Sequence, residues 1–318
     1  MKVVFMGTPE FARRILAHLC DSREHSVLAV VTGPEKQAGR GRKLLRTACH
    51  EEALERGLTV FTPATLKDHE LKLSLTGLGA DIFVVAAFRI LPPSLFTVPP
   101  RGSINIHASL LPAYRGAAPI NWAIINGERQ TGLTSFFLKE SVDTGDVILQ
   151  QKTAILDDDT FDSLYLRLAD QAGPFLLETL DLIEKGESKP AVQDDAKASR
   201  APKITPFDAM IDWGFPAEKV RNFVRGMATK PGAYTYFRGG RVKVLACAVE
   251  SAKADGTRPG TILADKKKLL IQCDHSVVQI LRLVPQGRGE IEGRSFINGF
   301  HPRPGELLGE RSVATEQA

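Results

Sequence analysis

The sequence predicts an α/β protein, with a doubly wound N-terminal domain and a smaller β-barrel behind it. Short strand-like runs at residues 2–6, 27–31, 59–61 and 81–87 alternate with stretches of helical spacing. That order builds a parallel sheet with helices on its faces. The run at 81–87 is apolar from Ile82 onward, as in a strand covered on both sides. Beyond residue 206 the texture changes to short β-rich runs at 241–249, 260–264, 269–272 and 277–284, separated by glycine and charged turns. Such a series suits a small barrel, of the kind that binds oligonucleotides.

At 318 residues the chain is long enough for two domains, each with its own core. Apolar content of 43% and charged content of 25% are those of a soluble globular protein. The longest apolar run, 82–88, is too short to span a bilayer, so no membrane partner is expected. One lysine followed by Val3-Val4-Phe5-Met6 and a Gly-Thr-Pro turn reads as a strand, since the apolar run is too short for a signal peptide. Cys20, Cys49, Cys247 and Cys273 are scattered; they read as reduced thiols of a cytoplasmic protein, with neither disulfide nor zinc. The seven histidines add no ligand spacing, and no metal is expected.

Taken in order, residues 2–6 form a strand, and Gly7-Thr8-Pro9 turns it into a helix over 11–19, with Thr8 as N-cap and Pro9 at N1. This opening lacks the Gly-x-Gly-x-x-Gly pattern, so no dinucleotide is inferred. Residues 33–47 have no apolar periodicity. They carry Lys36, Arg40, Arg42, Lys43 and Arg46 against one acid, Glu35, with glycines at 33, 39 and 41. A basic loop of this kind can wrap phosphates; it also matches an ordinary mobile surface loop. Helices are expected over 44–56 and 65–76, each closed by glycine. Phe88-Arg89-Ile90-Leu91-Pro92 ends the buried strand, where Phe88 serves either a pocket wall or core packing.

Ser103 to Pro112 is the stretch with chemistry in it. Ile104, Ile106 and Ala108 alternate with Asn105, His107 and Ser109, so a strand here would align an amide, an imidazole and a hydroxyl on one face. Leu110-Leu111-Pro112 then ends the ladder, which brings the polar trio to a strand end, where ligands bind in open α/β sheets. A short helix at 120–126 and paired strands at 131–138 and 147–155 follow. Between them lies Asp143-Thr144-Gly145-Asp146, which on spacing alone is a turn. Residues 160–185 carry a long helical pattern, with Gly173-Pro174 as the place for a bend. The Lys-, Asp-, Ala-, Ser- and Pro-rich stretch that follows reads as a linker, dividing the chain into 1–186, 187–206 and 207–318. From residue 207 on, 17 Lys and Arg face 12 Asp and Glu, whereas residues 1–206 carry 24 against 25. The mild basic excess of the C-terminal part suits a polyanion, and a solvated face nearly as well.

Asn105-x-His107-x-Ser109-Leu110-Leu111-Pro112, then Arg115-Gly116-Ala117-Ala118-Pro119 and Asp143-Thr144-Gly145-Asp146, resemble the folate-dependent formyltransferases. The opening Phe5 to Phe11, the basic Ala38 to Arg42 loop and Ile211-Asp212-Trp213 fit the tRNA-acting branch of that family, and the likeness runs over nearly the whole chain. The resemblance implies a Rossmann-like formyltransferase domain joined to a C-terminal β-barrel (OB-like) domain. It implies transfer of a formyl group from 10-formyltetrahydrofolate to the amino group of initiator methionyl-tRNA. Carried over by motif, Asn105, His107 and Asp143 are catalytic. Ser109, Leu110, Leu111 and Pro112 belong to the folate site, with Phe88 and Ile90 beside it. Lys36, Arg40, Arg42 and Lys43 contact the tRNA acceptor end. One departure stands out: many members have an aromatic–glycine pair where this chain reads Ala87-Phe88-Arg89. A formyltetrahydrofolate hydrolase or a small-molecule formyltransferase would use the same three residues, and the basic loop and barrel are what distinguish the tRNA enzyme.

Overall fold

A computed structural model describes residues 1–38, 43–250, 256–263 and 265–309, without the side chains of 36–38 and 43. In chain order the elements are β1 (Lys2–Gly7), α1 (Glu10–Asp21), β2 (Ser26–Val31), β3 (Lys36–Ala38), β4 (Lys43–Leu45), α2 (Ala48–Glu55), β5 (Thr59–Phe61), α3 (His69–Gly77), β6 (Ile82–Ala86), α4 (Pro93–Phe96) and β7 (Ser103–His107). They continue with α5 (Pro119–Ile125), β8 (Gln130–Phe137), β9 (Val147–Ala154), α6 (Phe161–Glu184), α7 (Ala217–Met227), β10 (Tyr234–Phe237), β11 (Gly240–Glu250), β12 (Leu269–Gln272), β13 (Val277–Pro285), β14 (Ile291–Glu292) and α8 (Gly293–Phe300). The chain divides into two compact units. The first comprises 1–119, 130–154 and 165–202; the second comprises 120–129, 155–164 and 203–318.

The first unit is organised on a seven-stranded sheet of order β5-β2-β1-β6-β7-β8-β9. From β5 to β7 every pair is parallel; β8 and β9 are added antiparallel. The chain builds outward from β1 to β2 and β5, then crosses to the other side of β1 for β6 and β7. Such a switch opens a crevice at the carboxyl ends of the strands. β6 is buried at every position, the burial its apolar sequence demands. Packed on one side of the sheet, Val4, Met6, Phe83 and Val85 meet Leu71, Leu75, Leu91 and Leu95.

Local structure departs from the sequence pattern at several places. The segment 33–47 contains a hairpin, β3 with β4, and helix α2 starts only after Thr47, whose hydroxyl accepts the His50 N–H. A side-chain cap fixes where a helix can begin, so the expected helix at 44–56 loses its first turn to the hairpin. Asp68 likewise caps α3 by accepting from Glu70 N–H, which starts that helix later than residue 65. Thr8 does not cap α1; Pro9 occupies that position without a side-chain bond. α6 continues through Pro174 with no break at 173–174. Gly173 is there for packing: a Cβ would come within 2.7 Å of three His18 atoms on α1.

The second unit holds an antiparallel sheet, β10-β11-β13-β12, with β14 added on β13. Register shifts between Val244 and Cys247 curl it into a half-barrel, because bulges increase local twist. Residues 260–263 form no strand, the last position of the expected run lying outside the described residues; Thr261 and Ile262 make isolated bridges to Leu307 and Ile271. α7 and α8 supply Val220, Val224, Met227 and Phe296 to its core, with Ile211 and Trp213 among them. The Trp213 indole N–H donates to Thr235 Oγ1 at 3.1 Å, so the ring is buried without an orphaned donor. No described helix is long and apolar enough to cross a membrane.

Candidate active site

β7 is an interior strand, parallel to β6 and antiparallel to β8. Asn105 and His107, two residues apart, share one face. Asn105 is half-buried, and its carboxamide makes no hydrogen bond among the described residues. His107 is 6% exposed. Its Nε2 lies 2.9 Å from the Tyr114 carbonyl oxygen, a partner that only accepts, so Nε2 carries the proton. That leaves Nδ1 facing the site.

Asp143 stands opposite. Its Oδ2 is 3.8 Å from His107 Nδ1, with both side chains buried. The same Oδ2 accepts the Gly116 N–H at 2.8 Å. The segment between β8 and β9 that carries Asp143 is a turn, as the spacing suggests, with Asp143 itself at φ 56°. Gly145 makes the close approach possible: a Cβ there would sit 1.6 Å from the Phe137 carbonyl oxygen. A residue 36 positions away thus comes within 4 Å of the imidazole.

The stretch after β7 is a tight turn with a cis Leu111–Pro112 bond. Ser109 is off the strand, fully buried, and its hydroxyl donates to the Ala113 carbonyl at 2.6 Å. The Thr134 hydroxyl on β8 donates to Ser109 O at 2.6 Å and accepts Leu111 N–H at 3.1 Å. Gln150 on β9 donates to Leu111 O at 2.8 Å. The turn is therefore held rigid from below, with Leu110 and Pro112 half-buried and Leu111 buried. Phe88 packs partly against the unit's core, with the Arg89 guanidinium over its ring at 5.3 Å. Arg89 in turn donates to the Pro63 and Ala64 carbonyls. Ile90 is 71% exposed.

Linker residues reach this site although their composition carries no signal of it. Tyr114 N–H donates to Ser199 Oγ, Arg115 N–H to Ser199 O, and Ala201 N–H to Arg115 O. Ala191 pairs with Val147 through two bonds of 2.8 Å. Gln193 is buried between Asp143 and Arg115. Of the basic set, Arg40 and Arg42 lie outside the described residues, and Lys36 and Lys43 are described only as backbone in β3 and β4. Among the described residues, Glu24, His25 and Asp181 form a grouping with metal-ligand atoms, all within 4.8 Å. It shares no residue with the β7 site.

β7 and the turn after β8 thus bring an amide, an imidazole and a carboxylate together at one end of a doubly wound sheet. The sequence pattern of the formyl transferase family matches residues 1–180, and that of the formyl transferase C-terminal domain matches residues 203–301; the chain belongs to this family. Its relatives include the methionyl-tRNA formyltransferase of Caldanaerobacter subterraneus subsp. tengcongensis, 40% identical over 97% of this chain and 100% of that protein. The methionyl-tRNA formyltransferase of Carboxydothermus hydrogenoformans is 40% identical over 97% and 99%. Among solved structures, the sugar 3N-formyl transferase WlaRD, crystallised with dTDP and 5-N-formyl-THF, superposes with a TM-score of 0.66 over 91% of this chain and 99% of that one, at 16% identity.

Proposed function

We propose that this chain transfers the formyl group of 10-formyltetrahydrofolate to the amino group of initiator methionyl-tRNA. Its relatives bear the name of that activity over nearly the full length. The observation that carries the reading is the convergence of His107 and Asp143, from remote segments, beside Asn105 at the end of β7.

The methionyl amine attacks the formyl carbon. A C–N bond forms, negative charge develops on the formyl oxygen, and the folate nitrogen departs as its bond to carbon breaks. The Asn105 carboxamide, which has no other partner among the described residues, donates to that oxygen. His107 contributes through Nδ1–H in its protonated form, because Nε2 is committed to Tyr114. Preorganised donors of this kind are worth about 3 kcal/mol each. Asp143 takes the proton lost by the attacking amine, directly or through one water, and that same proton passes to the folate nitrogen as its bond to carbon breaks. General base catalysis of this sort contributes roughly 10²–10⁴-fold.

The folate lies against the turn Ser109 to Pro112, with Phe88 and Ile90 flanking it. Exposed Ile90 and half-buried Leu110 offer an apolar surface, and the rigid turn offers backbone groups. Ser109 shapes the turn, with its hydroxyl bonded to Ala113 and its carbonyl to Thr134. The division of labour follows the chain: residues 1–186 transfer the formyl group, 187–206 link, and 207–318 bind RNA. Lys36, Arg40, Arg42 and Lys43 hold the acceptor end. In the C-terminal unit, Arg241, Lys243 and Arg288 line one cleft with no acid among the described residues that line it, and cations so placed suit a phosphate backbone.

The test is direct. The purified protein, 10-formyltetrahydrofolate and charged initiator tRNA are combined, and the aminoacyl product is resolved from its formylated form on an acid gel. Formyl-methionyl-tRNA is expected; formate release with unmodified tRNA would overturn the reading.

A further inference from the structure

We propose that Gln193 is a positioning residue for Asp143, so that the linker completes the catalytic site. The proposal rests on the formyl-transfer reading above. Gln193 is 8% exposed. Its Nε2 donates to the carbonyls of Asp143 at 2.9 Å and Gly145 at 2.8 Å. Its Oε1 accepts from Arg115 Nε at 3.1 Å and Nη2 at 2.8 Å. A primary amide has two N–H donors and two lone pairs, and all four are used. The orientation is unambiguous, since carbonyls can only accept and a guanidinium can only donate.

What this amide grips explains its role. Asp143 holds a left-handed backbone, φ 56°, which a residue with a Cβ resists unless its surroundings enforce it. The two Gln193 N–H bonds fasten the carbonyls on either side of Thr144 and so fix that turn. The other arm fastens Arg115, which lies between Tyr114 and Gly116. Those neighbours supply the carbonyl that orients His107 and the N–H that binds the Asp143 carboxylate. One buried side chain therefore ties both loops together and sets the separation between Nδ1 and Oδ2.

Removing it should loosen that separation while leaving the folate turn, which is held by Thr134 and Gln150, in place. A misplacement of about 1 Å can cost on the order of 10²-fold in rate. Gln193→Ala should lower kcat for formylation by roughly 10–100-fold, with KM for folate and for tRNA within about twofold of wild type. Gln193→Glu keeps the acceptor arm to Arg115 but cannot donate to the carbonyls, so it should lose as much; it also serves if the alanine variant fails to fold. In the Asp143→Asn background, Gln193→Ala should add less than about threefold, because a misplaced group and a disabled one are the same loss.

Wild-type kcat in Gln193→Glu, a loss confined to KM, or losses that multiply in the double variant would overturn the positioning role while leaving the formyl-transfer reading intact. Wild-type activity in Asp143→Asn alone would overturn that reading, and the positioning role with it.

Discussion

Replacing Asp143 by asparagine isolates the charge of the carboxylate from its shape. The side chain stays the same size, and its amide oxygen can still accept the Gly116 N–H now held at 2.8 Å. What disappears is the negative charge that faces His107 Nδ1 at 3.8 Å. Both side chains are about nine-tenths buried, at 7% and 11% exposure. With an effective dielectric constant of about 20, a full positive charge that develops at this distance in the transition state would be stabilised by the carboxylate by about 4 kcal/mol. Each ~1.4 kcal/mol is tenfold in rate, so full loss of the pair would cost about three decades. The asparagine also cannot take the amine proton. Relaxation of the site recovers part of this, and kcat for formylation should fall by roughly 10²–10³-fold. Rapid-quench single turnovers with saturating folate and tRNA read the chemical step. Circular dichroism and a folate titration, both expected unchanged, exclude misfolding. A loss smaller than about tenfold would refute the electrostatic argument.

Three further outcomes follow from the geometry. Arg241, Lys243 and Arg288 line one cleft, so glutamine at any one of them should weaken tRNA binding and reduce the slope of log Kd against log salt by about 0.7–0.9; an unchanged slope would remove the cleft from the RNA surface. Gly145→Ala would drive a methyl to 1.6 Å from the Phe137 carbonyl, and should cost about 3 kcal/mol or more in urea unfolding together with most of the activity. Burial holds the thiols of Cys49, Cys247 and Cys273 up to about 12 and Cys20 up to about 11. Folded values raised above the unfolded one stabilise fully below about pH 8.5, and that stability is lost as pH climbs toward the folded values. Native protein at pH 8 should resist iodoacetamide at all four cysteines until denaturant is added, as mass spectrometry would show.

Much of this architecture can be read from local pattern, and the failures have identifiable causes. β6 and β7 follow from apolar runs and alternation, because burial on a strand has a strict period. Asn105 and His107 stand out because polar groups are rare on an interior strand. Asp143 is both a turn residue and a partner of His107, and no local rule couples it to a strand 36 residues earlier. The hairpin of β3 and β4 escaped because each strand has only three residues, too few to display alternation. Gln193 is invisible for a different reason: its segment is composed like a solvated linker, and its burial arises from partners at 115, 143 and 145. At Gly173-Pro174 a composition that signals a bend serves instead to admit His18.

The most direct test of the chemistry is the single-turnover rate of His107→Ala with charged initiator tRNA and 10-formyltetrahydrofolate already bound. With the imidazole gone, the formyl oxygen loses a donor and Asp143 loses its partner, and the rate should fall at least about 100-fold at undiminished affinity for both substrates. Turnover close to that of the unaltered enzyme would mean that carbonyl activation lies elsewhere in the molecule.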